Sequence, residues 1–350
     1  MSRNIFYNLS HNITCFTRIH INPSIFPILG KLLIIVPVSI CGCSRMLPAE
    51  VPISVGVMMK IQNSSTLVSE CSTLDIFTFE NDRQQRLDSY QRHDRISSAE
   101  IGVTSTGGNK IVFVCADGQR SRYDWKDIKS YSSLGDVHCT LDKESLDQRV
   151  MTGEAEIKAG ESDLRLTLSP LTSEIVLEAI YCDFSGTPYS SSVIKDAKVY
   201  LTNVSASCPL LYTEGSRPTR IINSGMLMAS DLRNFKSQDI IVQHIADILG
   251  RDTIFPDIKL LCYPNPGNGE SPGCPDTKIV IEGKIEGETY YWPIRINKEK
   301  GIEKGCRYYF DICIRRRGVT EPDIEFEPES AVIQIRIRPW EEKDEYIVGF

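Results

Sequence analysis

The chain has 350 residues, with 46 acidic against 39 basic side chains and a net charge of −7. That length exceeds what one small domain uses. The acidic balance argues against a nucleic-acid partner, which calls for a basic face.

The first organised element is Lys31-Leu-Leu-Ile-Ile-Val-Pro-Val-Ser-Ile-Cys-Gly-Cys43. A positive charge precedes a short apolar run, which ends in a small residue and a cysteine. Leu32 to Ile40 is shorter than the ~20 residues a helix needs to cross a bilayer, so it reads as the hydrophobic region of a signal peptide. Ile40, Cys41, Gly42 and Cys43 resemble the lipobox at which bacterial lipoproteins are cut and acylated. Cys43 is then the lipidated residue and 1–42 the leader. Met1 to Gly30 lacks hydrophobic organisation, and a misassigned start codon would account for it. Several acyl chains on one residue anchor stably where one holds only marginally. Of the 12 cysteines, Cys15 and Cys41 precede the cut and Cys43 is acylated, which leaves nine in an oxidising compartment.

After a lipidated linker at 43–50, Ile53, Val55, Val57, Met59 and Ile61 alternate with smaller or polar residues, the period of a half-buried strand. Thr73 to Phe79 and Lys110 to Cys115 read as further strands. The charged run Asn81 to Arg95 between them reads as a loop or short helix. Gly153 to Ser162 is poor in large apolar residues, which places a domain boundary near residue 160 and divides the mature chain into 51–160 and 161–350.

Strands follow at Leu164 to Leu168, Glu174 to Phe184 and Ala197 to Val204. Ser237 to Gly250 stands apart: Ile240, Ile241, Ile245, Ile248 and Leu249 share one helical face between a serine cap and a glycine stop, which predicts a helix. Cys262 and Cys274 bracket a Pro/Gly-rich loop whose turn residues bring its ends together, the disulfide the sequence favours. Lys278 to Ile285 and Thr289 to Ile296 flank Glu286-Gly287-Glu288, a hairpin signature. Arg307 to Ile314 alternates along one strand, where Cys306 and Cys313 fall on opposite faces. Val332 to Arg338 sets Ile333, Ile335 and Ile337 against polar neighbours before Pro339-Trp340 ends the pattern. Many short strands separated by turn residues predict an all-β, mainly antiparallel chain of two stacked β-sandwiches.

Catalytic constellations are missing from the sequence. After the leader only His93, His138 and His244 remain, and none forms a metal-binding pair with another. No nucleophile elbow or phosphate loop occurs, and Thr104 to Asn109 precedes a strand where a phosphate loop must open a helix. The acidic stretch Glu321 to Glu329 reads as a solvated face. Tyr290, Tyr291 and Trp292 could offer a sugar-stacking surface, but strand alternation assigns part of the cluster to core packing. No metal, cofactor or enzymatic activity is expected.

The order of Leu261-Cys-Tyr-Pro-Asn265, Thr277 to Glu282, Tyr290 to Ile296, Arg307 to Ile314, Gly318, Glu321-Pro-Asp323 and Val332 to Trp340 resembles the C-terminal half of the fimbrillin superfamily of Bacteroidales pili. Leu74 to Phe79 and the lipobox are similar to its N-terminal half. The resemblance implies two transthyretin-like β-sandwiches in a pilus subunit. In such a subunit a surface protease cuts after an arginine, removes the first strand and opens a groove for a neighbour's C-terminal strand, a case of β-augmentation. No arginine lies between Ile61 and Thr73, Arg45 precedes the first strand, and Arg83 follows the second. A subunit that keeps its first strand keeps its lipid. The expectation is therefore an outer-membrane anchor subunit at the pilus base. Its C-terminal region, with Ile333, Ile335, Ile337 and Trp340, would join an adjacent pilin. The alternatives are a polymerising stalk or tip subunit and a glycan-binding surface lipoprotein.

Overall fold

A computed structural model describes residues 52–61, 72–94, 100–119, 125–161, 163–267, 273–324, 331–339 and 347–348. The strands of the first half are β1 (Pro52–Ile61), β2 (Thr73–Glu80), β3 (Leu87–Asp94), β4 (Glu100–Thr106), β5 (Lys110–Ala116), β6 (His138–Thr140), β7 (Met151–Ile157) and β8 (Asp163–Pro170). Next come β9 (Ser173–Cys182), β10 (Ile194–Thr202), β11 (Val204–Ser205), β12 (Ser207–Pro209), β13 (Ile221–Ile222) and β14 (Val242–Leu249). The last are β15 (Ile258–Cys262), β16 (Lys278–Ile285), β17 (Glu288–Arg295), β18 (Cys306–Ile314), β19 (Ala331–Pro339) and β20 (Ile347–Val348). The architecture is all-β and mainly antiparallel.

One seven-stranded sheet runs in the order β3-β2-β5-β7-β8-β1-β4. It folds over on itself where β7 meets β8 through only two register pairs, Met151 with Pro170 and Thr152 with Ser169. Gly153 sits at that corner, where a Cβ would overlap the Thr167 carbonyl and the Leu166 side chain. Between the two layers lies an apolar filling of Leu74, Ile76, Val112, Val114, Ile101, Val103, Leu164, Leu166 and Leu168. β2 and β5 are buried on both faces, which explains the near-continuous apolar run Ile-Val-Phe-Val-Cys in β5. Their other face carries Phe77, Phe79, Phe113 and Cys115, covered by Trp125, Ile128 and Leu134 from the segment before β6.

The second group of sheets is a four-stranded one, β14-β10-β16-β17, and a five-stranded one, β15-β9-β18-β19-β20. Their apolar residues, Val199, Leu201, Ile281 and Trp292 from one and Leu177, Leu260, Phe310 and Ile312 from the other, share a single core. The hairpin β16–β17 has the sequence-predicted turn: Ile285 pairs with Glu288, and Glu286 and Gly287 both take positive φ, 54° and 94°. That conformation gives a two-residue loop the twist its strands require.

Three sequence expectations are corrected. Asn81 to Arg95 contains the strand β3, which pairs along β2 and is half-buried despite its polarity. Ser237 to Gly250 is a short 3-10 turn and then β14, which pairs with β10. Ile245 and Ile248 are three apart, which suits one helical face but opposite faces of a strand, and Ile248 is exposed in β14; branched side chains and the pairing with β10 favour the strand. The strand at Leu164 to Leu168, assigned by sequence to the second half, is part of β8 in the first sheet. The handover between sheets therefore falls at 171–172 and not near residue 160.

Candidate functional site

β1 is an interior strand. It pairs antiparallel with β4 over seven positions, Pro52 with Thr106 through Met58 with Glu100. On its other side it runs parallel to β8 over six, Gly56 with Asp163 through Ile61 with Leu168. The register puts Val55 opposite Val103, and Val57 opposite both Ile101 and Leu164. Met59 stands opposite Leu166 and Ile61 opposite Leu168. The alternate positions singled out in the sequence thus share a row with the buried residues of both flanking strands. Taking β1 away would leave a strand-wide slot between β4 and β8 floored by the apolar filling.

Polar contacts close the rim beside this slot. Asp88 on β3 accepts from the Ser105 hydroxyl at 2.6 Å, the Thr106 hydroxyl at 2.6 Å and the Thr106 amide at 2.9 Å, and Gln91 donates to the Thr104 carbonyl at 2.7 Å. Burial pushes the Asp88 carboxyl up, but these donors and Lys110 outweigh it and hold the group below its ordinary value. The Lys110 ammonium, fully buried, donates to Glu80 at 2.6 Å and Thr106 at 2.8 Å and lies 3.6 Å from Asp88. β4 is therefore fixed to its neighbours by side chains as well as by β1.

A second polar cluster joins the two groups of sheets. The Glu144 carboxylate accepts from the Tyr263 hydroxyl at 2.6 Å, the Gln119 amide at 3.1 Å and the Val150 N–H at 3.1 Å. Burial raises its pKa to about 7 against the opposing pull of these donors and of Arg149. Arg149 bonds Glu174 at 2.8 Å, and Lys304 donates to Thr152 at 2.9 Å, further ties between the halves.

The C-terminal residues have a different placement. β19 pairs with β18 along its whole length, Cys306 with Pro339 through Ile314 with Ala331, and Ile333, Ile335 and Ile337 pack against the molecule's own core. β20 adds to its outer edge at Ile335 and Arg336. Trp340 and the lipobox residues Ile40, Cys41, Gly42 and Cys43 lie outside the described residues. Cys262 and Cys274 are both buried: burial raises the first to about 12, and the second donates to the Asn265 side-chain oxygen at 3.3 Å. Trp292 is wholly buried with its indole N–H on the Arg316 carbonyl at 3.1 Å, so it offers no stacking surface for a sugar. Among the described residues no cluster of His, Cys, Asp or Glu could hold a metal ion.

No family model matches the sequence, and no curated protein does. The fold, however, has solved counterparts among fimbrilins and candidate cell adhesion proteins, whose β-sandwich fold it shares. A fimbrilin from Porphyromonas gingivalis superposes with a TM-score of 0.59 at 11% identity, over 82% of this chain and 97% of that one. A candidate cell adhesion protein from Parabacteroides distasonis gives 0.59 at 14% identity, over 84% and 98%. One from Bacteroides eggerthii gives 0.58 at 14%, over 83% and 96%. At such identities the likeness establishes the fold alone, and it agrees with the resemblance read from the residues.

Proposed function

We propose that this chain is a fimbrial subunit of the outer membrane, held by acyl chains on Cys43 at the base of a pilus and joined to the next pilin by strand complementation. The observation that carries the reading is the seat of β1. It lies between β4 and β8 as an integral strand, and the ten residues from Gln62 to Cys71 that follow it contain no arginine. A protease that cuts after arginine has no site there, so the slot stays filled and the N-terminal lipid stays attached. The sandwich fold shared with a fimbrilin supports a fimbrial role. On this reading the subunit accepts no donor strand and gives one. β19 completes its own sheet and β20 lies along its outer edge, so on this reading the segment beyond Pro339 is offered to a neighbour when β20 leaves that edge.

The test is a chain ending at Trp340, made in cells that assemble pili. The expected result is a folded, membrane-bound protein with pili shed into the medium. Pili retained at normal levels would remove the C-terminal segment from the joint.

A further inference from the structure

We infer that Cys139 and Cys208 are a disulfide-forming pair that staples the first half of the chain to the second. The two residues face each other across the short antiparallel ladder of β6 and β12, in which Ser207 pairs with Thr140, Cys208 with Cys139 and Pro209 with His138. The ladder extends beyond the strands on both sides. Leu141 N–H donates to the Ala206 carbonyl at 3.0 Å, and Leu210 N–H donates to the Val137 carbonyl at 2.8 Å. These bonds fall two residues either side of the cysteines, so Cys139 and Cys208 form a hydrogen-bonded pair, with Cα atoms about 5.5 Å apart in such a ladder. Disulfides span roughly 4.4–6.8 Å between Cα atoms. Directly opposed residues point to one face of the ladder, and in this structure both are thiols buried in the shared core, with Cys208 Sγ donating to the Pro209 carbonyl at 3.5 Å.

No other cysteine of the described strands faces a cysteine across its ladder. Cys115 stands opposite Asp75 and Thr152, and Cys262 opposite Ser173. Cys182 stands opposite Ile314, Cys306 opposite Pro339, and Cys313 opposite Val332 and Tyr181. Only Cys139 and Cys208 are partners of each other. β6 precedes β7 of the first sheet and β12 follows β10 of the second group, so the bond would close a loop of about 70 residues across the junction that also holds Glu144 and Tyr263.

The inference rests on the export reading for its oxidant, a dithiol–disulfide exchange protein of the compartment outside the inner membrane. One cysteine thiolate attacks the oxidant's disulfide to give a mixed disulfide and release one oxidant thiolate. The second cysteine thiolate then displaces the other oxidant sulfur. The chain gains one S–S bond, and the oxidant leaves as its dithiol with the two protons and two electrons. Exchange takes place before the core closes, since burial raises the folded Cys208 thiol to about 12 and leaves it inert.

The experiment uses the full chain in two forms. One is recovered from cell envelopes. The other is purified, reduced, denatured and refolded with glutathione disulfide. Each is alkylated in denaturant and digested without reductant, and the peptides are weighed. A linked pair carrying Cys139 and Cys208, two hydrogens lighter than the separate peptides and parted by reductant, supports the inference. Refolded chains in which both cysteines are alkylated, or in which either is linked elsewhere, overturn it. The same envelope sample is weighed for acylated Cys43, which separates the two readings. Lipid with both thiols alkylated counts against the disulfide and leaves export standing. A linkage found only in the refolded chain, with no lipid in the cell-derived one, counts against export and leaves the pair standing. Reduction should also lower the melting midpoint by about 10 °C in the wild type and leave a Cys139→Ser/Cys208→Ser chain unmoved.

Discussion

If β1 is an integral part of the first sandwich, its removal should abolish the native state. A protease site placed between Gln62 and Cys71 would sever β1 from β2 without altering either strand. β1 is in register with β4 at seven positions and with β8 at six. At about one hydrogen bond per position and a net ~1 kcal/mol each, its loss forfeits on the order of 10 kcal/mol. Whole domains of this kind are stable by roughly 5–15 kcal/mol. A cut chain with β1 still seated should therefore melt close to the intact protein. A chain stripped of β1 in denaturant and refolded should show no cooperative transition until a synthetic peptide of residues 52–61 is supplied. Urea and thermal unfolding followed by circular dichroism read both states. A stripped chain that melts within a few degrees of the intact one would refute the reasoning.

Three further outcomes follow from individual residues. Glu144 holds its proton more tightly folded than unfolded, so the stabilisation is complete below its unfolded value of 4.5 and is lost as pH rises through about 7. The loss is about 3 kcal/mol over that window. Urea unfolding at a series of pH values should show that slope in the wild type and a flat response in Glu144→Gln. Lys110→Met leaves the Asp88 and Glu80 carboxylates at a buried rim without their cation and should cost about 3–5 kcal/mol, measured as a fall in denaturation midpoint. Gly318→Ala drives a Cβ into the Tyr291 carbonyl and breaks the paired hydrogen bonds of Tyr291 and Val319, at a cost of about 2–4 kcal/mol by the same assay.

What the sequence discloses is governed by how far each element is determined locally. The alternation from Ile53 to Ile61, the apolar run of β5 and the turn at Glu286-Gly287 are local, and the structure has all three in place. β3 escapes because Asp88, Gln91 and Arg92 make its residues look like a loop. Its order comes from β2 and from the contact of Arg92 with Asp75 at 3.2 Å. β14 misleads because Ile245, Ile248 and Leu249 keep helical spacing, while β10 beside it imposes a strand that leaves Ile248 exposed. β4 carries a brief apolar row, Ile101 and Val103, whose meaning lies in β1 and in the inner core.

The functional elements divide in the same way. β19 is legible as a strand, but its membership in the molecule's own sheet depends on β18, so a reading of the whole C-terminal region as a free donor claims too much. Glu144 has no sequence signature at all, because its pKa is raised by burial at the junction of the two halves, where its hydrogen-bond partners Tyr263 and Gln119, which pull the pKa back down, come from distant parts of the chain. The opposition of Cys139 and Cys208 is equally non-local.

The anchor account is tested most directly by the intact mass and N-terminal peptide of the protein taken from membranes of cells that carry assembled pili. The account predicts a chain that begins at an acylated Cys43 and still contains residues 52–61. A mature form whose terminus lies beyond Ile61, with no lipid, would contradict it and make the subunit a polymerising one.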